Sequence, residues 1–165
     1  DSVASRGLGD VYKRQQDRLS EAMMDMMQVN ASTTTQRTGR SIEVEGVTHG
    51  AAPIPMGARV GNMLYSSGLM GKDPATNTLP PEGAAQARFI FQNLRTLLAN
   101  GGATLQDVVY VKAYVKDNSL RDALNVEWLL CFPDPHDRPA RQTQVFDLPF
   151  GMLLQIEAIA VVPER

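Results

Sequence analysis

Arg141 and Glu157 are the two charged residues whose types and settings are best suited to build a site. Arg141 follows Pro139-Ala140 at the start of a stretch that reads as a strand. Taken alone it is either a surface charge or a clamp for a carboxylate. A guanidinium offers a carboxylate two parallel hydrogen bonds, a geometry lysine cannot match. Glu157 sits mid-strand among Ile156, Ala158 and Ile159, where an unpaired charge is costly. It either pairs with a cation across an interface or is a carboxylate kept for acid/base work. Asn125 falls inside a predicted helix, where asparagine is a mediocre former, so a solvated helix position is its plain reading. Ser67-Gly68, after a strand, reads as a turn.

The other candidates are weaker. Trp128 and Tyr114 read as packing rather than stacking platforms. Cys131, the single cysteine, lies between Leu130 and Phe132 and reads as a buried small apolar residue, not a nucleophile. His49 and His136 lie in separate loops with no second ligand at metal spacing, so no metal site is expected. Gly101-Gly102 lacks the surroundings of a phosphate loop.

The elements that must position these residues follow from periodicity. Ile42–Glu45 alternates apolar and polar, as a short strand does. The prolines of Ala51-Ala52-Pro53-Ile54-Pro55 force an extended loop. Ala58–Val60 and Met63–Ser66 flank Gly61-Asn62, a hairpin signal. Residues 68–81 read as loop. Ala87, Phe91, Leu94 and Leu98 form a helical stripe over 82–100, which Gly101-Gly102 closes as a left-handed cap. Val108–Lys116 is a strand with Val109, Val111, Ala113 and Val115 on one face. Ser119 with Asp122 reads as a capping box opening a helix over 120–132. Strands over 141–146 and 153–162 close the domain.

The order β-β-β-α-β-α-β-β gives an α/β (α+β) fold, a mixed sheet with both helices on one face. In the last strand Leu154, Ile156, Ala158, Ala160 and Val162 can face the helices. Leu153, Ile159 and Val161 then fall on the other face with Gln155 and Glu157. A half-apolar second face calls for a symmetric oligomer.

At 165 residues the chain has room for one domain with a real core. Its apolar and charged shares, 43% and 21%, are those of an ordinary globular protein. A net charge of −2 and the lack of a basic stripe give no reason to expect nucleic acid. No apolar run is long enough for a membrane span. The expectation is a soluble, cytoplasmic protein with no membrane or nucleic-acid partner. The opening Asp1–Gln15 has no apolar periodicity and resembles an adapter-like leader. Leu19–Gln28, rich in methionine, can form a short amphipathic helix, and 31–40 reads as a linker. Residues 1–40 are thus expected to be a disordered or non-native extension, and 41–165 the domain.

From about Ala52 to Pro163 the chain resembles the Rid proteins, the reactive-intermediate deaminases of YjgF type. The resemblance rests on Gly61-Asn62-Met63-Leu64-Tyr65-Ser66-Ser67-Gly68, Ala84-Ala85-Gln86-Ala87-Arg88 and Val111-Lys112-Ala113-Tyr114-Val115-Lys116-Asp117. It continues through Asn125, Arg138-Pro139-Ala140-Arg141 and Ile156-Glu157-Ala158-Ile159-Ala160-Val161. It implies a chorismate-mutase-like fold, a homotrimer with clefts between subunits, and no metal or cofactor. It also implies hydrolysis of enamines and imines, such as 2-aminoacrylate and 2-imino acids, to 2-oxo acids and ammonia. By position, Arg141 would grip the substrate carboxylate and Glu157 would orient or activate water. Asn125 and the backbone of Ser67-Gly68 would line the pocket. The chain departs from the pattern where Ile54 replaces a pocket tyrosine and Thr143 a cysteine. An alternative keeps the trimer and its carboxylate ligand without catalysis.

Overall fold

A computed structural model describes Lys13, Ser20 and residues 39–164, and the fold is that of the compact unit from Arg40 onward. Apart from Lys13, Ser20, Gly39 and Arg40, the expected extension with its methionine-rich helix lies outside the described residues.

Seven strands form one mixed sheet among the described residues: β1 (Ser41–Ile42), β2 (Gly57–Val60), β3 (Met63–Ser66), β4 (Leu69–Met70), β5 (Val108–Val115), β6 (Ala140–Val145) and β7 (Leu154–Val161). Their order is β1-β2-β3-β7-β5-β6, with β4 also paired to β7. Helices α1 (Gly83–Asn100) and α2 (Arg121–Cys131) both pack on one face, as expected. The pair β5–β6 is parallel and the other named pairs are antiparallel.

The core lies between the sheet and the helices. Ile90, Phe91, Leu94 and Leu97 of α1 meet Val111 and Ala113 of β5 and Leu154, Ile156 and Ala160 of β7, all fully buried. Alternation in β7 holds, with Leu154, Ile156, Ala158 and Ala160 inward. Leu153 is different. It precedes the strand, so the pleat does not govern it, and it packs against the core instead of the open face.

Three further expectations give way to local structure. Val109 is exposed, because an irregularity between Val108 and Tyr110 puts Val108 inward in its place. The strand expected over 42–45 shortens to Ser41–Ile42, with Val44 bridging only to Val47. Ser119 does not cap α2. Asp117 accepts from the Ser119 backbone N–H at 2.8 Å, and a 3-10 turn over Asn118–Leu120 leads into the helix. The loop expected over 68–81 also holds β4, too short to show any alternation.

The end of α1 shows how tightly the local chemistry is fixed. The Ala103 N–H donates to the Leu98 carbonyl at 2.7 Å and the Gly102 N–H to Ala99 at 3.0 Å, a Schellman pair. Only Gly102, at φ 76°, is left-handed; Gly101, at φ −86°, is not. Arg59 donates from Nη1 to the Gly101 carbonyl at 2.7 Å, placing a cation on the helix C-terminus. Gly102→Ala is expected to destabilise the domain by about 1–2 kcal/mol, the cost of a Cβ in the left-handed region. A urea midpoint that does not move would contradict this.

Candidate active site

Arg141 stands on β6, at the edge of the sheet. Its register partner on β5 is Val111, which is fully buried, so Arg141 points to the helix side. There its guanidinium lies 4.6 Å from the centroid of the Trp128 ring and donates from Nη2 to Asn125 Oδ1 at 2.7 Å. Trp128 is buried, so it is both core and platform. Asn125 is not a solvated helix position; it faces the arginine. Buried Nη1 has no acceptor. Burial, with Arg121 nearby, lowers the affinity of this guanidinium for its proton. A half-buried cation with an unspent donor is disposed to take an anion.

Glu157 lies elsewhere. Its register partner on β5 is Lys112, the residue after Val111, so it faces the opposite, open side of the sheet. It accepts a long hydrogen bond, 3.4 Å, from the Tyr114 hydroxyl. Lys112 Nζ sits 5.1 Å from the Tyr114 ring centroid, and Tyr114 first, then Glu157, favours its charged form. The two strands bearing Arg141 and Glu157 are separated by β5 and are not neighbours. One copy of the chain therefore does not bring Arg141 and Glu157 together.

The other expected residues join the Glu157 side. Between β3 and β4 the ladder to β7 is interrupted, and the Ala158 N–H donates at 2.8 Å to the Ser66 hydroxyl instead of a strand carbonyl. Ser67 turns back: its N–H donates to Met56 at 2.9 Å and its hydroxyl to Pro55 at 2.7 Å. That tie fixes the loop carrying Ile54, which is half exposed. A Cβ at Gly68 would meet the amide end of the Gln155 side chain, which would have to swing aside, so the two pack closely in this loop. Gln155 precedes Glu157 by one strand repeat and shares its face.

Sequence reasoning missed three contributors here. His49 Nε2 lies 2.8 Å from the Gly68 carbonyl and holds the loop in place. A lone histidine in a loop gave no signal of that. Phe150 and Gln155 line a cavity together with Ile54 and Gly68. Cys131 behaves as expected: it is buried, Arg95 donates to its sulfur at 3.2 Å, and burial pushes the thiol up. Among the described residues no cluster of His, Cys, Asp or Glu could hold a metal ion, and no helix is long and apolar enough to cross a membrane.

The sequence model of the family described as Endoribonuclease L-PSP matches residues 51–162. The chain belongs to this YjgF/Rid family. It is 31% identical over 124 residues to the 2-iminobutanoate/2-iminopropanoate deaminase of Escherichia coli K12, covering 74% of this chain and 97% of that one. The solved YjgF gene product of E. coli superposes with a TM-score of 0.67 at 30% identity, over 74% of this chain and 98% of that one. E. coli TdcF, solved with bound serine, superposes with a TM-score of 0.68 at 25% identity, over 75% and 99%. The mixed sheet with two helices on one face is thus the fold of the Rid family.

Proposed function

We propose that the protein hydrolyses 2-imino acids and their enamine tautomers, 2-aminoacrylate among them, to 2-oxo acids and ammonia, in clefts completed between copies of a homotrimer. The observation that carries this reading is Arg141, stacked on Trp128, braced by Asn125 and left with a donor unspent. A 2-imino acid brings a carboxylate to that donor and sets its electrophilic C2 beside it. The relative named as an imine deaminase and the relative solved with serine, an amino acid bearing the same carboxylate, support this choice.

The chemistry asks little of the protein. Water adds to C2, forming a C–O bond while the C=N π pair moves to nitrogen. Glu157 is the group assigned to take the proton from that water and return it to the nitrogen. The carbinolamine then collapses: its hydroxyl proton passes to the nitrogen, the freed O–H pair forms C=O, the C–N bond breaks with its pair going to nitrogen, and ammonia leaves. One water is consumed and nothing is oxidised. Holding the carboxylate, the water and the proton acceptor in one geometry supplies most of the rate.

Two copies are needed because Arg141 and Glu157 face opposite sides of one sheet. The open face carries Tyr65, half exposed, with Ile159 and Val161, and covering it with a second copy would bury that apolar surface. The edge strand β6 can then bring its Arg141 to the Glu157 of a neighbour. A ribonuclease reading, which the family description carries, has no basic stripe in this sequence to rest on, at a net charge of −2.

The test couples an L-amino-acid oxidase, which releases 2-imino acid, to the appearance of 2-oxo acid. The protein is expected to accelerate that appearance well beyond spontaneous hydrolysis, at a solution mass three times that of the chain. No acceleration, with 2-oxo acids still bound, would favour the non-catalytic carboxylate binder. A monomer that retains full activity would remove the shared cleft.

A further inference from the structure

At Gln155, one strand repeat before Glu157 on the same face of β7, lies a cavity of about 790 Å3, a size suited to a small molecule. Gln155, which shares the face of Glu157, lines it with Gly68 and Ile54; Met70, Met152 and Phe150 add apolar wall. The walls are braced. Thr48 receives Asn77 Nδ2 on its hydroxyl at 3.0 Å and returns its own N–H to Asn77 Oδ1 at 3.1 Å. The Lys72 ammonium, which also lines the cavity, donates to the Thr48 carbonyl at 2.7 Å.

Phe150 is the residue without a structural reason to be as it is. It follows Pro149 at φ 60°, in the left-handed region that an aromatic residue occupies only at a cost. The residue is 91% exposed and buries almost none of its apolar surface. Strain and exposure in one residue at a cavity rim are explained together if a ligand covers the ring. Ile54, 51% exposed on the same cavity, adds a second apolar surface awaiting contact.

We infer that this cavity is the side-chain subsite of the enzyme, built for large apolar 2-imino acids, with Phe150 and Ile54 as its specificity-determining residues. The inference rests on the function proposed above and names its substrate class. The carboxylate goes to Arg141 and C2 lies over Glu157. The substituent on C2 then runs past Gln155 into the cavity, where a methyl group fills little and a benzyl or isobutyl group meets apolar wall. A contact of that kind typically changes specificity by about 10-fold or more.

The experiment compares kcat/KM for the imino acids released by the oxidase from phenylalanine, leucine and alanine. The native protein is expected to favour the two larger substrates by about 10-fold or more. Phe150→Ala is expected to lower kcat/KM for the phenylalanine-derived imine about 10-fold and to leave the alanine-derived one within about two-fold. Phe150→Gly, which fits the left-handed backbone, is expected to do the same while keeping or raising the thermal midpoint, so that a loss cannot be ascribed to unfolding. Equal or inverted preference in the native protein overturns the subsite while leaving imine hydrolysis standing. So does an equal loss on all three substrates in both variants. Inactivity of the native protein on all three overturns the function itself and the subsite with it.

Discussion

Arg141→Ala is expected to lower kcat/KM for 2-imino acids by about 10³-fold. The substrate carboxylate would lose two charge-assisted hydrogen bonds, both N–H groups of the unspent Nη1 being free to donate. At about 1.5–3 kcal/mol each, that is on the order of 4 kcal/mol and hence about three decades. Most of the loss should appear in KM, because the carboxylate is not the reacting group and its contact is made in both ground and transition states. Arg141→Lys should recover only part, since a point charge cannot reproduce the fork. The guanidinium also stacks on Trp128, so the variant's fold must be checked by its near-ultraviolet circular dichroism. Steady-state rates with oxidase-generated imines measure the effect. A folded Arg141→Ala protein with native kcat/KM would remove the carboxylate-holding role.

Glu157→Gln is expected to act on the other parameter. Gln keeps the volume and an oxygen that can accept from Tyr114, yet it cannot take a proton from water. Loss of a positioned general base costs about 10²–10⁴-fold, here expected in kcat with KM little changed. The split between the two variants is informative in itself. If Glu157→Gln instead raised KM alone, the carboxylate would be a binding group, and water activation would have to come from elsewhere.

The identities of these residues were legible in the sequence, and so was the face of Glu157; the face of Arg141 and the strand between them were not. Helix α1 could be read from its stripe and its glycine stop, and the β2–β3 hairpin from Gly61-Asn62, because both signals are local. Alternation told which residues of β7 point inward. What alternation cannot tell is which strand lies beside which. The sequence order places 141–146 directly before the last strand, and a neighbouring pair is the natural reading. The structure inserts β5 between them, pairs β6 parallel to it, and so turns Arg141 and Glu157 to opposite sides. That arrangement depends on pairing between distant segments, for which one sequence carries little signal. Val109 was misplaced because an irregularity one residue long reverses the pleat, and Leu153 because the strand starts after it. Ile54 stood out only as a departure from the Rid pattern. The cavity that gives it meaning is assembled from four separate stretches of chain.

The separation of the two charged residues makes the central claim directly testable. Arg141→Ala and Glu157→Gln chains, each expected to be strongly impaired alone at low substrate, are unfolded together and refolded as mixed oligomers. If every cleft takes Arg141 from one copy and Glu157 from the next, an equal random mixture restores about one quarter of the native activity, since one interface in four then pairs two intact residues. Activity that stays at the level of the separate variants, in mixtures shown to exchange subunits, would contradict the shared cleft.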